Sequence, residues 1–153
     1  MQKILKWGVS IMRKFYHGDE CEIYDETDIK EIEKLFIGRK VKVISYDEFG
    51  GILELDNGIE LEIVPNEGCG GCSSGWYYLR ELNNVDNAIT NVEFMEDEII
   101  DNYGYCETSY KIFVFCEDKR IKLLQVDGDD GNGYYGTGYE IIVKIKEGEE
   151  YSS

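Results

Sequence analysis

The chain has 153 residues, 42% of them apolar, a length at which a single core burying roughly 70% of the unfolded surface is feasible, so one domain is expected. Thirty-two acidic against 16 basic residues leave a formal charge of −16, which opposes the counterion release behind non-specific nucleic-acid affinity and argues against direct binding of DNA or RNA. No apolar run reaches the roughly 18 positions of a spanning helix and no cleavage site follows an N-terminal apolar core, so no membrane role and a cytoplasmic location are expected.

In the first 16 residues Ile4, Leu5, Val9, Ile11, Met12, Phe15 and Tyr16 fall near one helical face, with Lys3, Lys6, Ser10, Arg13 and Lys14 largely opposite. That pattern predicts a basic amphipathic helix packed on its own domain, and Met12 offers a second start that would make residues 1–11 dispensable. Residues 19–34 are strongly acidic. Thr27 or Asp28 is placed to cap a helix through Phe36 that Gly38 ends, with Ile29, Ile32, Leu35 and Phe36 as its buried stripe.

From Arg39 the period changes to two. Lys40 to Ile44 alternates, and Ile52–Leu55 and Ile59–Val64 flank Asp56-Asn57-Gly58, a hairpin signal. Further strands are predicted at Trp76–Leu82, Ile89–Glu96, Tyr110–Cys116, Arg120–Val126 and Tyr139–Lys146. The resulting fold class is α+β, a mainly antiparallel sheet, rolled or a partly open barrel, with one or two N-terminal helices. The expected organisation is a helical extension over 1–35, a β-rich domain over 36–146 and an acidic tail over 147–153.

Two segments carry more than connection requires. Residues 67–75 hold Cys69, Gly70, Gly71, Cys72, Ser73 and Ser74 and run into Trp76, Tyr77 and Tyr78, an aromatic wall beside amides that can approach a ligand closely. Residues 126–139 hold Asp129, Asp130, Asn132, Tyr134 and Tyr135 within a glycine-rich stretch, read as a wide turn between strands 120–126 and 139–146. A calcium loop starting at Asp127 fails, because Gly131, Asn132 and Gly138 stand where an oxygen ligand, glycine and glutamate are needed. No Gly-Lys-Ser or Gly-Lys-Thr supports a P-loop.

The cysteines Cys21, Cys69, Cys72, Cys106 and Cys116 are odd in number and unevenly spaced, which suits reduced thiols better than a disulfide framework. Cys69 and Cys72 have zinc-knuckle or dithiol spacing, with Cys106 and Cys116 as candidates to complete a structural zinc site; otherwise no cofactor is expected. One histidine, His17, leaves little room for imidazole-dependent catalysis. A cysteine nucleophile or an acid pair among Asp127, Asp129 and Asp130 would lack an evident base.

The strings Glu67-Gly-Cys-Gly-Gly-Cys-Ser-Ser-Gly-Trp76, Tyr110-Lys-Ile-Phe-Val-Phe115 and Val126-Asp-Gly-Asp-Asp-Gly-Asn-Gly-Tyr-Tyr-Gly-Thr-Gly-Tyr139 resemble the signatures of a family of small phage-encoded domains of unknown function. The likeness spans roughly residues 36–146 and implies a phage or prophage source, hence a host cytoplasm and interference with host defence, without implying an activity. The expected function is a non-catalytic counter-defence protein whose two segments sequester a small nucleotide-like ligand. Trp76, Tyr77, Tyr134 and Tyr135 would stack on a base, glycine amides would offer donors and Arg80 a cation. The alternatives are an acidic, nucleic-acid-mimicking inhibitor of a host defence protein and a zinc-stabilised interaction domain.

Overall fold

The computed structural model describes residues 13–16, 19–66, 76–100, 106–129 and 138–144, and within them one helix and ten strands. Residues 13–16, which the spacing placed on a basic helix, instead form strand β1 (Arg13–Tyr16), antiparallel to β2 (Asp19–Asp25) with Arg13 opposite Glu22. Pairing with β2 supplies hydrogen bonds for an extended backbone, a condition that Phe15 and Tyr16 suit and that local spacing does not register. The rest of that expected helix, 1–12, lies outside the described residues.

Helix α1 (Ile29–Phe36) follows the acidic run, and its Ile32 and Phe36 are fully buried. Asp28 occupies the cap position without capping: its carboxylate accepts the N–H of Asp25 at 2.9 Å, so the first turn is held from the strand side. The helix ends where Ile37 N–H returns to Glu33 O at 3.0 Å, and Gly38 N–H then reaches Ile89 O at 2.7 Å.

Four more strands complete the first sheet: β3 (Val41–Asp47), β4 (Gly50–Leu55), β5 (Glu60–Pro65) and β10 (Tyr139–Lys144), in the order β1-β2-β10-β5-β4-β3. The β4–β5 hairpin is the one the sequence announced. Gly58 has φ +88° and donates its N–H to Leu55 O at 2.9 Å, a conformation side chains rarely adopt. The second sheet contains β6 (Trp76–Leu82), β7 (Asn91–Ile100), β8 (Cys106–Cys116) and β9 (Lys119–Asp129), ordered β6-β9-β8-β7. All neighbours are antiparallel and neither sheet closes, so the expected rolled sheet or open barrel is resolved as two separate sheets.

Strand β6 lies against β3, β4 and β5, and the facing apolar rows merge into one core. Leu53, Leu61, Ile63, Ile141 and Val143 come from the first sheet, Leu79, Ile112, Val114, Leu124 and Val126 from the second. Besides an irregularity at Ile44 in β3, alternation breaks at two bulges in the second sheet. Leu79 pairs with Val126 and Glu81 with Gln125, which leaves Arg80 as the extra residue of β6; Ile112 pairs with Leu124 and Phe113 with Lys122, which leaves Leu123 as that of β9. Both re-aim side chains that strict alternation would have misplaced.

Candidate functional site

The two glycine-rich segments are the starting point. The first leaves β5 at Asn66 and enters β6 at Trp76; the second leaves β9 at Asp129 and reaches β10 at Gly138. In the first sheet β5 pairs with β10, Tyr139 opposite Pro65, and Asn66 N–H donates to Gly138 O at 3.0 Å. In the second sheet β6 pairs with β9, Trp76 opposite Asp129. The segments are therefore two arms that connect the sheets, with their anchors paired side by side at both ends. The second, read as a wide turn between strands 120–126 and 139–146, does link β9 to β10, but the two belong to different sheets and β10 pairs with β2 and β5.

Residues 67–75 and 130–137 lie outside the described residues, and with them Cys69, Gly70, Gly71, Cys72, Ser73, Ser74, Asp130, Asn132, Tyr134 and Tyr135. Trp76, Tyr77, Arg80 and Asp129 are described. Asn66 O accepts the N–H of Tyr77 at 2.7 Å, tying the ends of the first arm together. Gly138 N–H donates to Glu26 Oε1 at 2.9 Å. At Gly128 a Cβ would stand 2.2 Å from Trp76 O and 2.6 Å from Tyr77 Cα, so β6 and β9 meet here at a spacing only glycine permits.

Tyr77 does not join the expected aromatic wall. It faces the core and is 2% exposed, because alternation puts it on the side of Leu79. It starts a tyrosine stack beneath the anchors, buried at Tyr77 and Tyr139 and partly buried at Tyr110: Tyr77 and Tyr110 ring centres are 5.8 Å apart, Tyr110 and Tyr139 5.9 Å. Burial, with Glu26 nearby, pushes the Tyr139 phenol well above its ordinary range.

Trp76 and Tyr78 fall on the opposite, outer face of the second sheet, where Trp76 is 52% exposed. There the rows across the strands are polar: Tyr78 opposite Asp127 opposite Ser109, and Glu81 opposite Gln125 opposite Lys111. Ser109 Oγ donates to Asp127 Oδ1 at 2.5 Å, and Gln125 Nε2 lies 3.0 Å from both carboxylate oxygens. Arg80 donates its Nε–H to Asp127 Oδ2 and an Nη2–H to the Tyr78 hydroxyl, its guanidinium carbon 5.2 Å from the centre of the Tyr78 ring. Lys122 Nζ donates to Gln125 Oε1 at 2.6 Å and lies 3.5 Å from Glu81.

The Asp127 side chain is 3% exposed, that of Arg80 52%. Burial alone would raise the Asp127 carboxyl, but hydrogen bonds from Ser109, Gln125 and Arg80 outweigh it and hold the group below its ordinary value. Asp127 is thus a structural anion inside a strand rather than a solvated acid of a glycine turn. The sequence reading missed Ser109 and Gln125. Their one signal is the polar pair Gln125 and Asp127 interrupting the apolar run that begins at Leu123.

The expected metal partners diverge. Cys106 and Cys116 terminate the same eleven-residue strand, which at about 3.3 Å per residue puts them on the order of 30 Å apart. Cys116 is buried in the core, and burial pushes its thiol up; Cys69 and Cys72 lie outside the described residues. Among the described residues no three His, Cys, Asp or Glu side chains are grouped to hold a metal, and no helix is long and apolar enough to cross a membrane. A family model described as a domain of unknown function, DUF7448, matches residues 33–141. No curated protein and no solved structure matches the chain.

Proposed function

The chain belongs to the DUF7448 family of domains of unknown function, and we propose that this member is a non-catalytic binding protein that takes a small nucleotide-like ligand where its two glycine-rich arms are anchored. The reading is supported by the double pairing of the anchors, Asn66 with Gly138 and Trp76 with Asp129, which makes neighbours of the ends of two segments that lie far apart in the sequence. Trp76, half-exposed at one of those anchors, supplies a ring for stacking. Catalysis by an acid pair gains no support, because the Asp127 carboxylate is taken up by three donors. The resemblance to phage-encoded domains gives such binding a use, sequestration of a host defence signal.

The acidic-inhibitor alternative draws on the net charge of −16. Strand β7 weakens it, since Glu93 and Asp97 are already paired with Arg120 at 2.6 Å and Lys111 at 3.2 Å. Native and denaturing mass spectra of protein purified from bacteria with an active nucleotide-signalling defence test the proposal. The expected result is a native-only adduct of a few hundred daltons, lost in Trp76→Ala. A bare mass in both spectra, with no nucleotide taken up on addition, would refute it.

A further inference from the structure

The outer face of the second sheet says more about the ligand. Trp76, Tyr78 and Arg80 stand at successive outward positions of β6, an edge strand, and Arg80 is the residue at its bulge. Its guanidinium folds back over the Tyr78 ring and is clamped by Asp127 and by the Tyr78 hydroxyl. Burying Asp127 for this purpose is costly, and apolar side chains would serve the fold as well. What the arrangement achieves is a fixed cation. The Asp127 charge is enclosed, its oxygens occupied by Ser109, Gln125 and Arg80, whereas the Arg80 side chain is half-exposed and its Nη1 is uncommitted to either partner. At the other end Trp76 is half-exposed and paired opposite Asp129.

We infer that Arg80, positioned by Asp127, is the phosphate anchor of this site, and that the ligand is a mononucleotide lying along β6 with its base on Trp76 and its phosphate on the guanidinium. The lengths agree: Tyr78, over which the guanidinium lies, is two residues from Trp76, or about 7 Å along the strand, comparable to the separation of a base from its 5′-phosphate. A charged acceptor on a pre-oriented guanidinium forms short, strong hydrogen bonds, which a Lys would not reproduce.

This inference rests on the reading of the arm anchors as a ligand site, and the test separates the two. Calorimetric titration of the full chain uses the nucleosides and 5′-monophosphates of adenine, guanine, cytosine and uracil. At least one monophosphate should bind about tenfold or more tightly than its nucleoside, the order expected of hydrogen bonds to a charged group. Arg80→Ala should bring that ratio to about one while leaving nucleoside affinity unchanged, and Asp127→Asn should reduce the ratio without abolishing nucleoside binding, which a merely structural role would not do. If Asp127→Asn fails to fold, Arg80→Ala still decides, its side chain being half-exposed. Equal affinities for nucleoside and monophosphate, or a phosphate preference that survives Arg80→Ala, would overturn the inference and leave the binding reading standing. No binding by any of the eight compounds would overturn both.

Discussion

Replacing Asp127 by Ala removes the acceptor shared by Ser109, Gln125 and Arg80, and the three donors do not suffer equally. Arg80 is half-exposed and turns to water, which limits its loss to about 1 kcal/mol or less. Ser109 and Gln125 are buried. They can bond each other, since Gln125 Nε2 already lies 3.3 Å from Ser109 Oγ, but each loses a bond to a charged group, worth about 1.5–3 kcal/mol before that compensation. The expected cost is about 3 kcal/mol, or a fall in Tm of roughly 6–12 °C for a chain of this size. Urea denaturation followed by circular dichroism measures it, with Arg80→Ala as the control expected to lose about 1 kcal/mol. The pH dependence has a fixed sign. The folded carboxyl sits below its unfolded value, so its contribution is complete above about pH 4, the unfolded range, and disappears as pH falls through the folded value. The advantage of wild type over Asp127→Asn should therefore shrink on acidification. A cost under about 1 kcal/mol for Asp127→Ala, or an advantage over Asn that ignores pH, would show that the outer-face network is not formed as described.

Two further perturbations address the packing. Gly128→Ala should cost about 2–3 kcal/mol, because its methyl would meet backbone of β6 rather than a side chain able to move; a neutral result in chemical denaturation would mean that the strands are not so closely apposed. Cys21 and Cys116 are buried thiols, so alkylation followed by peptide mass mapping should label both only in denaturant, and rapid labelling of Cys116 in native protein would contradict its place in the core.

Local signals were readable and pairing was not. The Asp56-Asn57-Gly58 turn is encoded within a few residues and stands where the sequence puts it; of the stripe Ile29, Ile32, Leu35 and Phe36, Ile32 and Phe36 are fully buried and Leu35 partly, whereas Ile29, in the first turn, is 44% exposed. Arg13 to Tyr16 satisfies helical spacing, yet β2 beside it decides otherwise. The bulges at Arg80 and Leu123 shift the inward face by one residue, which no count by twos anticipates. The kinship of the two glycine-rich segments was hidden for a related reason: each reads alone as a loop, and only the strand order makes neighbours of their ends. Asp129 and Trp76 were both recognisable as candidates, but their being neighbours was not.

The middle of the first sheet is filled by its last strand. β10 sits between β2 and β5, and the contact from Gly138 to Glu26 joins residues 112 apart. A ribosome releasing this chain from its N-terminus delivers β2 long before the strand that must lie beside it, so the early segment waits while most of the polypeptide is made. Topology of this kind slows folding, since chain closure over such a span is opposed by entropy until the pairing is complete. The nascent product meanwhile presents β5 with one edge open, a period in which recognition by a chaperone, or mispairing with a neighbour, competes with arrival of Tyr139–Lys144.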